Sequence, residues 1–105
     1  MTTTALCHLL TYARDKQLGL TSLHALAYIH LQLGEAKVSQ VATHLGVTGA
    51  AITGTSDRLV ALGLITRRYG KKDRRNVWLE ITPNGSALIA TALHGPVTEA
   101  FAEAV

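Results

Sequence analysis

Aromatic residues make up only 5% of this 105-residue chain. Its core must therefore be built from Leu, Val, Ile and Ala, a composition that leans helical. Cysteine is nearly absent. Cys7 stands alone, which excludes an internal disulfide and points to a reducing compartment, the cytoplasm. No run approaches the roughly 18–20 apolar residues that span a membrane. Met1-Thr2-Thr3-Thr4 puts no basic stretch ahead of an apolar run, so no signal peptide is expected. Repeats, low-complexity tracts and linkers are missing, and the length suits one domain over residues 1–105. Catalytic patterns are missing as well. The sequence offers no nucleophile with a partnering base and no paired acids, and Gly49–Gly54 is no phosphate loop because no Lys-Ser/Thr follows. An enzyme is not expected. His8, His24, His30, His44 and His94 show no metal-ligand spacing, so neither metal nor cofactor is expected, and His30 reads as a hydrogen-bonded core or interface histidine.

What is present begins with an apolar fraction of 48%, enough for a globular fold. The net charge of +3 is unevenly placed. Between Thr66 and Arg75, six bases (Arg67, Arg68, Lys71, Lys72, Arg74 and Arg75) face one acid, Asp73. The remainder holds four bases against six acids. A basic strip on a slightly acidic protein is an electrostatic footprint for a polyanion, although a solvated hairpin would carry the same charges.

Apolar periodicity divides the chain into short elements. Leu6, Leu9, Leu10 and Ala13 recur at helical spacing from Thr4 to about Asp15, and Gly19 breaks that helix. A second helix, capped by Thr21, runs to about Leu33. Leu23, Leu26, Ala27 and Leu31 take one side of it and Ala25, Ile29 and Leu33 another, as expected of a central helix. Ser39 caps a third helix, with Val41, Ala42 and Leu45 inside and Gln40, Thr43 and His44 outside. Gly46 ends it in a left-handed turn. Thr48 caps a fourth, from Gly49 to about Leu62, with Ile52, Leu59 and Leu62 inward. Leu64–Gly70 and Asn76–Thr82 read as two strands around a charged turn, with Val77, Leu79 and Ile81 on the buried face. Trp78 points outward, either over Tyr69 or as a contact surface. Pro83 opens a last helix, which Gly95-Pro96 stops or kinks before a short tail.

The order is four helices, a hairpin and a helix: mostly α with a small β-hairpin wing, the plan of a winged helix-turn-helix. Residues 38–62 form the helix-turn-helix and 64–82 the wing, with 1–18 and 83–105 as dimerisation helices. In that plan the fourth helix enters a DNA major groove. Gly49, Ala50, Thr53 and Gly54 are small and permit close approach. Thr53 can bond a base or phosphate or touch a thymine methyl. Free backbone N–H groups at Thr48–Ala50 suit a phosphate. Ser39, Gln40 and Arg58 lie within reach of the backbone. No Arg, Lys, Asn or Gln stands at the groove-facing positions, so direct base readout should be thin and the wing should carry much of the affinity. Arg74 or Arg75 can enter a minor groove, Lys71, Lys72, Arg67 and Arg68 can track phosphates, and Asp73 reads as a structural acid that holds an arginine or the turn backbone. The rival reading is a winged-helix protein–protein adaptor, which would have no need of six bases in ten residues.

Two correctly spaced pieces carry a family resemblance. The first is Leu45-Gly46-Val47-Thr48, Ala51-Ile52-Thr53, Asp57-Arg58-Leu59, Gly63-Leu64-Ile65 and Arg67. The second is Asp73-Arg74-Arg75 followed by Val77, Leu79, Ile81-Thr82 and Gly85. Together they resemble the MarR family over about Thr21 to Leu88. The resemblance implies a homodimeric transcriptional regulator, usually a repressor, on palindromic double-stranded DNA, with Arg74 or Arg75 as the minor-groove residue. Leu6-Cys7-His8-Leu9-Leu10-Thr11-Tyr12 also resembles the first helix of the family's peroxide-sensing branch, which would make Cys7 a redox sensor. The plainer expectation for Cys7 is a small filler at a helix interface. Nothing in the residues supports a small-molecule effector or a membrane partner.

Overall fold

Helix ends set the architecture. The computed structural model describes residues 3–73 and 75–94. Arg74, the Gly95-Pro96 stop and the tail lie outside the described residues, as do the side chains of Leu6, Ala92 and Leu93. The described elements are α1 (Thr3–Asp15), α2 (Leu20–Leu31), β1 (Glu35–Lys37), α3 (Val38–Leu45), α4 (Gly49–Ala61), β2 (Ile65–Tyr69), β3 (Val77–Ile81) and α5 (Pro83–His94). Helices α1, α3 and α4 share one terminator. Leu18, Val47 and Leu64 each donate an N–H to the carbonyl five residues back, and Gln17, Gly46 and Gly63 to the carbonyl three back. These are paired Schellman bonds. The reversal needs a left-handed residue, and Gly46 and Gly63 (both φ +73°) supply it without a Cβ penalty. Gln17 (φ +57°) and, after α2, Leu33 (φ +61°) adopt the same region as non-glycine residues.

The hairpin of β2 and β3 is as expected, with Ile65 opposite Ile81 and Tyr69 opposite Val77. A third strand, β1, pairs antiparallel with β3 and makes the sheet order β1-β3-β2. Three residues show no period of their own, which is why alternation did not reveal β1. Leu26, Ile29, Val41, Ile52, Leu59, Ile65, Leu79 and Ile89 are fully buried and join the helices to the inner face of the sheet.

Several local expectations are corrected. α2 starts at Leu20 with Gly19 as N-cap, so Thr21 lies inside the first turn. α3 starts at Val38, because β1 runs straight into it with Lys37 extended at the N-cap. Gln40 Oε1 accepts the Lys37 N–H at 2.9 Å. Leu31 and Leu33 are exposed rather than inward: α2 ends at Leu31, and Leu33 stands beyond it, off the helical period. Trp78 does point outward. It does not lie over Tyr69, whose cross-strand partner is Val77. Instead its neighbours Lys37 and Arg68 place cations 5.3 and 5.2 Å from the ring centroid, within cation–π range.

Candidate nucleic-acid interface

α4 begins at a working cap: Thr48 Oγ1 accepts the Ala51 N–H at 3.1 Å. Ala50, Thr53 and Gly54 are exposed, and a Cβ added at Gly49 or Gly54 would meet nothing within 4 Å. The start of α4 is thus an open face of small residues with free backbone donors. The Thr53 hydroxyl donates back to the Gly49 carbonyl at 3.1 Å. What it offers outward is a methyl and the oxygen lone pairs.

A cleft of about 400 Å³ separates this face from the wing. Ser39, Gly49, Thr53, Arg67 and Arg75, all singled out in the sequence, line it together with Lys37, Tyr69 and Asn76, which were not. Alternation could have found Tyr69: Ile65, Arg67 and Tyr69 share the face of β2 turned to α4. Gln40 lies on the outer surface of α3 beside Tyr28 and His44, whose rings stack with centroids 4.3 Å apart.

The five described bases of the strip divide into two groups. Arg67 turns in toward α4, where it donates to Ser56 Oγ at 2.7 Å, to the Thr53 carbonyl at 3.3 Å and to Asp57. It ties the wing to the middle of α4. Ser56 is buried and Asp57 is exposed, so most of the value of this link rests on Ser56. Arg67→Ala should therefore cost about 1 kcal/mol in a urea titration and Asp57→Ala less than about 0.5. Equal costs would place the link on the exposed ion pair instead.

Arg68 lies on the opposite face of the sheet. There Glu35 and Glu80 are direct cross-strand neighbours, an unfavourable pairing of like charges. Arg68 Nε bonds Glu80 at 2.6 Å and its Nη2 bonds Glu35 at 3.3 Å, and Glu80 above all raises the guanidinium pKa from its ordinary value.

The remaining described bases, Lys71, Lys72 and Arg75, are exposed at the wing tip. Asp73 builds that tip. Its Oδ1 accepts the Arg75 N–H at 2.9 Å and the Arg75 Nε–H at 3.2 Å, while its carbonyl accepts the Asn76 N–H at 3.0 Å. The Arg75 N–H, then its guanidinium, hold the Asp73 carboxyl below the usual carboxylate range. The turn is tight enough that a Cβ on Gly70 would stand 2.6 Å from the Asp73 carbonyl.

Arg58 lies apart from the cleft, on carbonyls at the end of α1. Cys7 is exposed on α1 rather than packed between helices of this chain. Among the described residues no group of three or more potential ligands is placed to hold a metal ion.

The MarR family model matches residues 18–77, from the end of the α1–α2 corner to the start of β3. This chain belongs to the MarR family. Its sequence is 37% identical over 62 residues to the HTH-type transcriptional repressor MdtR of Bacillus subtilis, a match covering 59% of this chain and 40% of that one. The chain thus spans well under half the length of the curated relatives it matches. The crystal structure of YusO from B. subtilis superposes with a TM-score of 0.71 at 26% identity, covering 97% of this MarR-family chain and 71% of YusO. A mutant of MarR from E. coli, complexed with operator DNA, superposes with a TM-score of 0.68 at 21% identity, covering 95% and 71%. That last likeness is one of fold alone. No described helix is long and apolar enough to cross a membrane.

Proposed function

We propose that this MarR-family chain is a sequence-specific double-stranded DNA-binding transcriptional regulator, a cytoplasmic repressor that occupies a palindromic operator as a homodimer and occludes a promoter. The observation that carries the reading is the cleft between the open N-terminal face of α4 and a wing whose tip presents exposed bases. A recognition helix seated in the major groove places such a tip at the flanking backbone and minor groove. Ser39, Gln40 and the first turn of α4 take phosphates, Ala50, Thr53 and Gly54 face base edges, and Lys71, Lys72, Arg74 and Arg75 supply the salt-dependent affinity. The repressor name of MdtR supports the same assignment. α1 and α5 pack together, which suits them to bring a second copy alongside. Catalysis forms no part of this reading.

Selection of bound duplexes from random DNA at near-physiological salt tests it. The expected result is an enriched inverted repeat with half-sites about 34 Å apart, one helical turn. Salt-sensitive binding with no enrichment would replace the sequence-specific repressor with an architectural protein. No binding at all would favour the protein–protein adaptor.

A further inference from the structure

The corner that follows α1 leaves carbonyls that the helix's Schellman bonds do not use. The Leu18 and Gln17 N–H groups bond Ala13 and Arg14, so Lys16 O and Gln17 O project from the corner. Both accept from one side chain, the Arg58 guanidinium of α4, at 2.6 and 3.5 Å. A cation from 42 residues downstream thus sits at the negative end of the α1 dipole, beside the left-handed Gln17. α1 itself packs chiefly on α5. Arg58 is therefore a direct tie from the α1–α5 pair to the helix whose other end carries the open face.

We propose that Arg58 is a positioning residue. It sets α4 against α1 and passes movement of the α1–α5 unit to the recognition helix, rather than binding a phosphate itself. This rests on the DNA-binding reading above. It gives the regulator a route by which the subunit arrangement adjusts the presentation of α4, and it uses the one basic side chain on α4.

The test uses the full chain carrying Arg58→Ala, with Arg58→Met, which keeps the aliphatic stem, as the variant to measure if alanine does not fold. Binding is titrated against the selected duplex and a scrambled one across a salt series. A positioning role predicts about a tenfold loss on the selected duplex, a change within about twofold on the scrambled one, and an unchanged salt slope. A slope smaller by about one unit with equal losses on both duplexes would make Arg58 a phosphate ligand and overturn the proposal. Unchanged affinity for both would also overturn it. If no duplex is selected, the DNA reading has failed and the coupling is judged alone, by amide exchange in the DNA-free chain. Faster exchange in both the 16–18 corner and α4 supports the tie, and faster exchange confined to the corner refutes it.

Discussion

Gly85→Ala should destabilise the domain by more than about 3 kcal/mol, a mid-denaturation shift of roughly 12 °C or more for a domain of this size. Gly85 lies in the first turn of α5, buried against the corner where α4 gives way to β2. A Cβ there would stand 2.1 Å from the Leu64 carbonyl oxygen and 2.9 Å from Ile81 Cγ1. The oxygen is backbone, and it cannot yield freely, because it already accepts the Thr82 N–H at 3.0 Å. The other side of the contact is equally tied. Thr82 Oγ1 accepts the Gly85 N–H at 3.1 Å and donates to the Gly63 carbonyl at 2.6 Å, so one threonine caps α5 and fastens it to the corner. Relief of the clash would have to pull α5 off this corner and break those bonds together.

A second glycine serves as the internal control. Gly54 is also helical, with open space where a Cβ would go. Gly54→Ala should stabilise the fold by about 0.5–1 kcal/mol, the ordinary glycine cost in a helix. Thermal denaturation of the two variants side by side separates helix propensity from the steric contact. If Gly85→Ala melted within a few degrees of the parent, the docking of α5 on Leu64 would be wrong.

The same pair of glycines shows how far the sequence could be read. Periodicity was enough for α1, α3, α4 and the hairpin, since each repeats its apolar signal over two turns or several alternations. The position of Gly46 after an apolar period announced its left-handed turn. Gly85 entered only through the family resemblance, and its steric constraint was not legible because it comes from a carbonyl twenty-one residues away. The misplaced starts of α2 and α3 have a similar origin. Thr21 and Ser39 are good caps in isolation, but backbone already extended at Gly19 and Lys37 begins the helices earlier. At the interface, charge density alone gave six equivalent bases. The separation of the described ones into structural and exposed members depends on strand alternation, which sends Arg67 toward Ser56 and Arg68 toward Glu80, and on acids that lie elsewhere in the chain.

That separation makes the second large effect specific to the wing tip. Arg74→Ala combined with Arg75→Ala should abolish retention on heparin at moderate salt and weaken duplex binding by on the order of 10- to 100-fold, with the salt slope reduced by about two units. The Arg75 side chain is 91% exposed and meets only Asp73 among the described ion pairs. Such an exposed pair contributes little and exchanges readily for phosphate. Asp73 keeps a second duty when that exchange happens, because its bond to the Arg75 N–H continues to shape the turn. Arg68→Ala is the contrasting variant. Its guanidinium is committed to Glu35, Glu80 and the Trp78 face on the far side of the sheet, so binding should stay within about twofold and the slope should not move. Both variants remove positive charge from the same ten-residue strip. If they weakened binding equally per charge, affinity would follow net charge alone, and the wing tip would have no particular place in the complex. If only the tip variant acts, the chain has spent two of its bases on holding the wing and reserved the others for DNA.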